Sequence, residues 1–438
     1  MRIPKISSLH LAGIQSIGWS TLAHFLSFGI RAVSILILTH LLPPQAYALF
    51  GVAIGVVTIL ELISDVGIRP ALIRHPELDQ EEVLGTGWVL GVGRGLLLTL
   101  IVWSLSFVYP SFQGSPELGP ILLVIGLKPL IHSLQSAYVP ILYREMKYRQ
   151  ISTIEVGQTF IATCGSISFA YYWEASVWAI VCGYSLGEVA YVVLSYLVCP
   201  WKFPIAWNRK IIAELKSFGN QVFWNTAVMS LWLNIDRLLG LKLVSEIELG
   251  LYMLASNLGE FIDKLLMRTM DVYYSMLSQT DGEENRLALH HSLAQKLAKV
   301  MMPIMMVGML LAPLTIWFFL DKKWHDAGFL FGLVFAKLML RLMSQFYFQL
   351  LLNRAEIHLV TSCYVAAFLV QATLLYPLTK GLGVIGLSYS MIISTFVFYS
   401  LESLIFRIRF SEKIFAYLMT LACVILGLIL LHLLYPLP

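Results

Sequence analysis

Thirteen apolar stretches follow one another along the chain, near 16–38, 47–68, 84–109, 118–138, 151–172, 176–199, 218–240, 248–270, 297–320, 326–352, 358–378, 383–406 and 414–436. A helix needs about 20 apolar residues to cross a hydrocarbon core of about 30 Å. Nothing alternates at the period of two that a membrane β-strand of about 10 residues requires. The pattern predicts an all-α polytopic membrane protein. The first stretch follows Arg2 and Lys5 and shows no small-residue cleavage site near its end. It is expected to remain as a helix rather than be removed as a signal peptide.

The polar gaps carry an orientation signal. Nineteen Lys and Arg residues lie before the first stretch and in or at the edges of every second gap after it, Arg144, Lys210 and Arg286 among them. The other gaps hold four: Lys242, Lys322, Lys323 and Lys380. This excess places the N-terminus and the larger loops in the cytoplasm, and thirteen spans then place the C-terminus outside. The longest cytoplasmic gap covers 271–296, leaving no room for an extramembrane catalytic domain. Its stretch Gln279–Lys299 has Leu287, Leu293 and Leu297 at helical spacing, the pattern of an interfacial helix. His290 and His291 are expected on its solvated face.

Composition agrees with a membrane protein. Of 438 residues, 58% are hydrophobic and 13% charged, against about a quarter charged in soluble domains; mean hydropathy is +0.77. Cys164, Cys182, Cys199, Cys363 and Cys423 all fall within apolar stretches and show no CxxC spacing. They read as packing residues, not as disulfides or metal ligands. The net charge of +4 gives no ground for a nucleic-acid partner.

At a shift of 202 residues the chain weakly matches itself: Leu41-Leu42 falls on Leu243-Val244, Leu49-Phe50 on Leu251-Tyr252, and Ala53 on Ala255. Both segments join the first two spans of a six-span block. The expected organisation is two six-helix lobes, 1–200 and 201–406, around a central cavity. A C-terminal appendage of one or two helices occupies 407–438. An even number of spans per copy gives both lobes the same orientation, as in parallel-repeat transporters.

Seven of the thirty basic residues sit inside apolar stretches, apart from Arg268 and Lys299 at their edges. Arg31, Arg94, Lys128, Lys337 and Arg341 are near mid-span, where each costs about 2.5–3.5 kcal/mol on insertion scales. Glu188 and Glu260 are the acids counted at that depth, so a positive excess is expected. Such an excess suits an anionic ligand, a phosphate or diphosphate, which Arg binds bidentately and Lys as a point charge. Lys337 and Arg341, four residues apart, project from one helix face. Gly91, Gly93 and Gly95 bare the helix around Arg94 for water or a head group. Asp236, Arg237 and Asp263 join Glu188 and Glu260 as candidates for ion coupling or for holding lobes together, with Asp236 and Arg237 read as an adjacent ion pair. Glu155 and Glu402 read as interfacial. No Walker loop, HExxH or GxSxG is present, so no catalytic residue, metal or cofactor is expected.

Several segments resemble the Wzx-type polysaccharide flippases. These are Leu38-Thr39-His40-Leu41-Leu42-Pro43-Pro44 with Tyr47-Ala48-Leu49-Phe50; Asp65-Val66-Gly67-Ile68 with Ala71-Leu72-Ile73-Arg74 and Glu77-Leu78-Asp79; Tyr143-Arg144-Glu145-Met146-Lys147-Tyr148; Asp236-Arg237-Leu238-Leu239-Gly240; and Lys323-Trp324. Ala48 stands where that family usually has Gly, and Tyr274 where a Pro commonly ends helix eight. The resemblance implies the fold of the multidrug/oligosaccharidyl-lipid/polysaccharide (MOP) exporters, as in MATE transporters, and a place in the bacterial cytoplasmic membrane. It implies a polyprenyl-diphosphate-linked glycan as cargo, flipped outward by alternating access for lipopolysaccharide, O-antigen or exopolysaccharide assembly. Expected partners are that lipid-linked glycan, membrane lipids and other polysaccharide-assembly proteins. The alternatives are a multidrug exporter of the same fold, a membrane glycosyltransferase or polymerase, and a scaffold without transport.

Overall fold

The computed structural model describes residues 6–64, 72, 81–199, 205–353, 357–410 and 415–436. Among them are fourteen α-helices, one 3-10 turn (Lys322–Trp324) and no strand. Apart from Leu72, the Asp65–Asp79 segment lies outside the described residues, as do Arg2, Lys5, Lys202, Arg354 and Lys413. Among the described residues, eight helices are long and apolar enough to cross a membrane. The chain divides into two compact units, Met1–Trp224 and Asn225–Pro438.

The first unit holds α1 (Ile6–Leu41), α2 (Pro44–Ser64), α3 (Glu81–Gln113), α4 (Leu118–Ile125), α5 (Lys128–Ser133), α6 (Val139–Arg144), α7 (Tyr148–Tyr172) and α8 (Val177–Val198). α2 starts on Pro44, where the missing N–H costs nothing, and buries most of its length. α1 is the opposite: Leu22, Phe25, Leu26 and Phe28 are exposed, as a lipid-facing surface requires. The fourth apolar stretch is not one span. It breaks into α4 and α5, with α6 following just beyond it, because Pro129 and Pro140 have no N–H for the carbonyls four residues back and their rings clash with them. α7 and α8 pack closely through Gly183, where a Cβ would lie 2.7 Å from the Ala162 carbonyl.

α9 (Arg209–Leu243) carries the unit boundary. The second unit continues with α10 (Glu246–Gln279), α11 (Glu283–Phe319), α12 (Ala327–Asn353), α13 (Ile357–Phe410) and α14 (Phe415–Leu434). α10 opens on a capping box: the Glu248 amide donates to Ser245 Oγ at 3.3 Å, and the Ser245 amide to Glu248 Oε2 at 3.1 Å. With Tyr274 in place of a helix-ending Pro, α10 runs on to Gln279. The expected cytoplasmic loop with its separate interfacial helix is therefore a short turn through Gly282, whose φ is +81°. Residues 283–296 are the first turns of α11, which at 37 residues is about 55 Å long and outreaches a bilayer core of about 30 Å.

α13 contains two of the expected spans in one run of 54 helical residues, broken at Gly383 with φ +58° and ψ −140°. No residue with a Cβ adopts that backbone readily, and a Cβ there would meet Glu248 Oε1 at 3.1 Å. Trp232 of α9 locks the two halves together. Its ring lies 4.9 Å from Phe398 and 5.5 Å from Tyr364, and its Nε1 donates to Ser394 Oγ at 3.1 Å. α14 is packed into this unit: Leu431 fills the space left by Gly332, and His432 Nε2 meets the Tyr389 hydroxyl at 2.7 Å.

Candidate functional site

The first unit brings α2, α3, α5 and α8 around a cavity of about 470 Å³, lined by Glu61, Trp88, Arg94, Lys128, His132 and Glu188 among others. The close approach of α3 to α5 depends on Gly95, where a Cβ would lie 2.6 Å from the Pro129 carbonyl. Gly91, one turn earlier, has open space beside it. Of the glycines expected to bare the helix, Gly91 and Gly93 do so and Gly95 serves packing.

Arg94 crosses from α3 to the last turn of α2. Its Nη2 donates to the Glu61 carbonyl at 2.5 Å and its Nε to Ser64 Oγ at 3.0 Å. A helix ends in carbonyls without intrahelical partners and in a partial negative charge, and Arg94 answers both. Lys128, the first residue of α5, forms an ion pair with the Glu61 carboxylate, and both side chains stay partly exposed at 17% and 23%. On the other side His132 Nδ1 lies 3.1 Å from Glu188 Oε2, and Gln158 Nε2 donates to Glu188 Oε1 at 3.2 Å. His132 stacks on Tyr191 at 4.7 Å. Trp88 Nε1 donates to the Gln135 carbonyl at 3.0 Å. Arg31, exposed on α1, shares the electrostatic surroundings of Tyr184 with Glu188 and Glu61.

The expected positive excess is absent from this cavity. Glu61 was missing from the count of mid-depth acids, and with it Arg94 and Lys128 face Glu61 and Glu188 in balance.

The second unit holds a denser network. Arg237 of α9 pairs with Glu260 of α10, and Arg341 of α12 lies 3.3 Å from Asp263 of α10. Asp236 accepts a hydrogen bond from Tyr252 Oη at 2.5 Å, while its Oδ1 is buried without a partner. Asp236 and Arg237 are thus not each other's contact partners: neighbours in a helix point about 100° apart, so each engages a different neighbouring side chain. Lys337 and Arg341 do share a face. Lys337 Nζ is 3.7 Å from the Met391 sulfur, with Asp236, Arg341 and Asp263 as charged surroundings.

Two further groups, Glu402 and His290, depart from expectation. Glu402 is fully buried rather than interfacial, with Ser344 Oγ donating to its Oε2. His290 is also fully buried, its Nδ1 2.6 Å from the Tyr273 hydroxyl among Phe346, Tyr347 and Phe406. The continuation of α10 and α11 past the expected loop covers that imidazole. Glu155 is half-buried and accepts from the Tyr143 hydroxyl at 3.3 Å.

Solved structures define the class first. A multidrug resistance MATE family transporter of the MOP superfamily, inward-facing, superposes with a TM-score of 0.70 at 14% identity, over 89% of this chain and 98% of that one. The lipid II flippase MurJ, in an inward closed conformation, gives 0.71 at 11% identity over 96% and 99%. The fold is that of the MOP exporters, in a multi-pass all-α membrane protein. Residues 37–328 match the family model described as polysaccharide biosynthesis protein, and the chain belongs to that family. Among curated relatives, the Escherichia coli (strain K12) lipopolysaccharide biosynthesis protein WzxC is 22% identical over 43% of this chain and 38% of its own length. The Rhizobium meliloti (strain 1021) succinoglycan biosynthesis transport protein ExoT is 22% identical over 67% and 60%. The matches thus span less than two thirds of either relative.

Proposed function

We propose that this protein is a flippase of the bacterial cytoplasmic membrane, not an enzyme. It moves a polyprenyl-diphosphate-linked oligosaccharide from the cytoplasmic to the outer leaflet by alternating access of two lobes. The observation that carries this reading is the cavity of the first unit, where Arg94 and Lys128 stand at membrane depth in a chain of the polysaccharide biosynthesis family. Arg94 offers a planar fork and Lys128 a point charge to a diphosphate. Arg31 is proposed as a third cation from α1. Lys337 and Arg341, expected on the same ground of charge at depth, face carboxylates of their own unit instead and are left out of the proposed cargo site. The N-terminus and Arg144, Lys210 and His290 belong to the cytoplasmic side, and Lys242 and Lys322 to the outer side.

Proteoliposomes loaded with a polyprenyl-diphosphate oligosaccharide test the activity. Outer-leaflet glycan, read by an impermeant lectin, should rise with the protein and fail to rise with Arg94→Gln. Single-cysteine labelling of intact cells tests the orientation, and modification at position 144 without permeabilisation would overturn it. A second reading, export of a cationic drug, is favoured by Glu61 and Glu188 on the same cavity wall. Under that reading Arg94→Gln leaves glycan flipping at background and cation efflux intact.

A further inference from the structure

The two cations of the first-unit cavity are held by acceptors of different kinds. Among the described residues, Arg94 is bound by neutral groups, the Glu61 carbonyl and the Ser64 hydroxyl. These orient the guanidinium and leave its charge uncompensated at contact. Lys128 is bound by the Glu61 carboxylate itself, so its charge is spent inside the chain. Glu61 thus takes part twice, by its backbone on Arg94 and by its side chain on Lys128.

A charge-balanced cavity is a poor host for a diphosphate. An anion entering it meets Glu61 and Glu188 as well as the cations, and like charges brought to contact in a low-dielectric site cost more than one new ion pair returns. The balance shifts only if one carboxylate gives way. Glu188 is 4% exposed and fixed from both sides by His132 and Gln158. The Glu61 side chain is 23% exposed, and its ion-pair partner among the described residues is Lys128. A carboxylate and a phosphate oxygen are interchangeable partners for an ammonium, so one can replace the other on Lys128 without a backbone change.

Resting on the cargo reading above, we infer that Glu61 is a built-in competitor of the cargo, a carboxylate that occupies Lys128 when the cavity is empty, yields it to the diphosphate, and retakes it on release. Arg94 needs no such exchange. It is the standing anchor, and Lys128 the contact whose availability Glu61 sets. The arrangement keeps an empty cavity neutral at membrane depth and weakens cargo binding enough for the cargo to leave again.

The test titrates farnesyl diphosphate into the purified full-length protein in nanodiscs and follows thermal unfolding of each variant alongside. Glu61→Gln keeps size and removes the competing charge, so affinity should rise about tenfold. Glu61→Asp, which retains the charge but draws it back by one methylene, should give a smaller rise and serves if the Gln variant unfolds. Lys128→Gln should bind at least tenfold more weakly. In the Lys128→Gln background, adding Glu61→Gln should restore far less than the tenfold it gives alone, because the contact it competes for is gone. Unchanged or weaker affinity in both Glu61 variants, with Lys128→Gln still weakened, overturns the competition and leaves the cargo site standing. Equal gains from Glu61→Gln with and without Lys128 also overturn it, pointing to general repulsion. Unchanged affinity in both Lys128→Gln and Arg94→Gln overturns the cargo reading itself.

Discussion

The two units place the same residue types at membrane depth under different constraints. In the first, Lys128 and Glu61 stay partly open around a cavity, and Arg94 rests on neutral acceptors at a helix end. In the second, Arg237 and Arg341 each meet a carboxylate of α10, and Asp236 is sealed at 2% exposure under Tyr252. A cation paired inside helix packing has its charge answered locally and holds helices in register. A cation at a cavity, fixed by neutral groups, retains a charge for a ligand. Residue types are alike in the two networks; what separates Arg94 from Arg237 and Arg341 is that its contact partners are neutral.

Four measurements can break that division. The largest effect is expected from Asp263→Asn, which strands Arg341 in the second network. Breaking a buried pair this way costs about 3 kcal/mol, at the low end because the Arg341 side chain keeps 25% of its surface. Unfolding in detergent should show that loss with diphosphate affinity retained; lost affinity in a stable protein would assign Arg341 to the cargo instead. Next, Arg94→Gln should weaken diphosphate binding by about 1.5–3 kcal/mol, or roughly ten- to hundredfold, with Arg94→Lys restoring part of it. A destabilised protein with unchanged affinity would make Arg94 a packing residue like those of the second unit.

Third, exchanging the charges of Arg237 and Glu260 together should retain about 1–2 kcal/mol more stability than the two single reversals summed, the coupling of a contacting pair. Additive losses would mean that the pair is no unit. The smallest effect belongs to Ser64→Ala, which removes one neutral acceptor from Arg94. It should lower stability by about 0.5–1.5 kcal/mol and lower affinity less than Arg94→Gln does. An affinity loss as large as that of Arg94→Gln would place Ser64 itself on the cargo.

The apolar pattern foretold the helical class and most helix positions, because span length is a one-dimensional property of the chain. It was right to separate 358–378 from 383–406, with the break falling on Gly383. It misjudged 118–138, where apolar content was sufficient but Pro129 stood inside it and Pro140 just beyond its end. Charged residues inside spans were visible one by one; which of them meet was not. Glu61 lies within an apolar run and was open to counting, yet its contacts are 33 and 67 residues further on. His290 and Glu402 went astray for the same reason: burial at a helix end depends on what packs over it, and periodicity is silent about that.

The interrupted fourth span carries a thermodynamic demand of its own. Non-helical backbone at membrane depth survives only where protein or water satisfies it, since hydrocarbon supplies no hydrogen-bond partner. On one side α3 closes against the break through Gly95; the other side is the cavity wall. Protein answers part of that demand: Trp103 Nε1 of α3 donates to the Leu123 carbonyl at 2.9 Å, and the Gly126 amide keeps its bond to the Leu122 carbonyl at 2.8 Å. A span can thus be interrupted beside the cavity while its neighbour α3 supplies hydrogen bonds that lipid cannot.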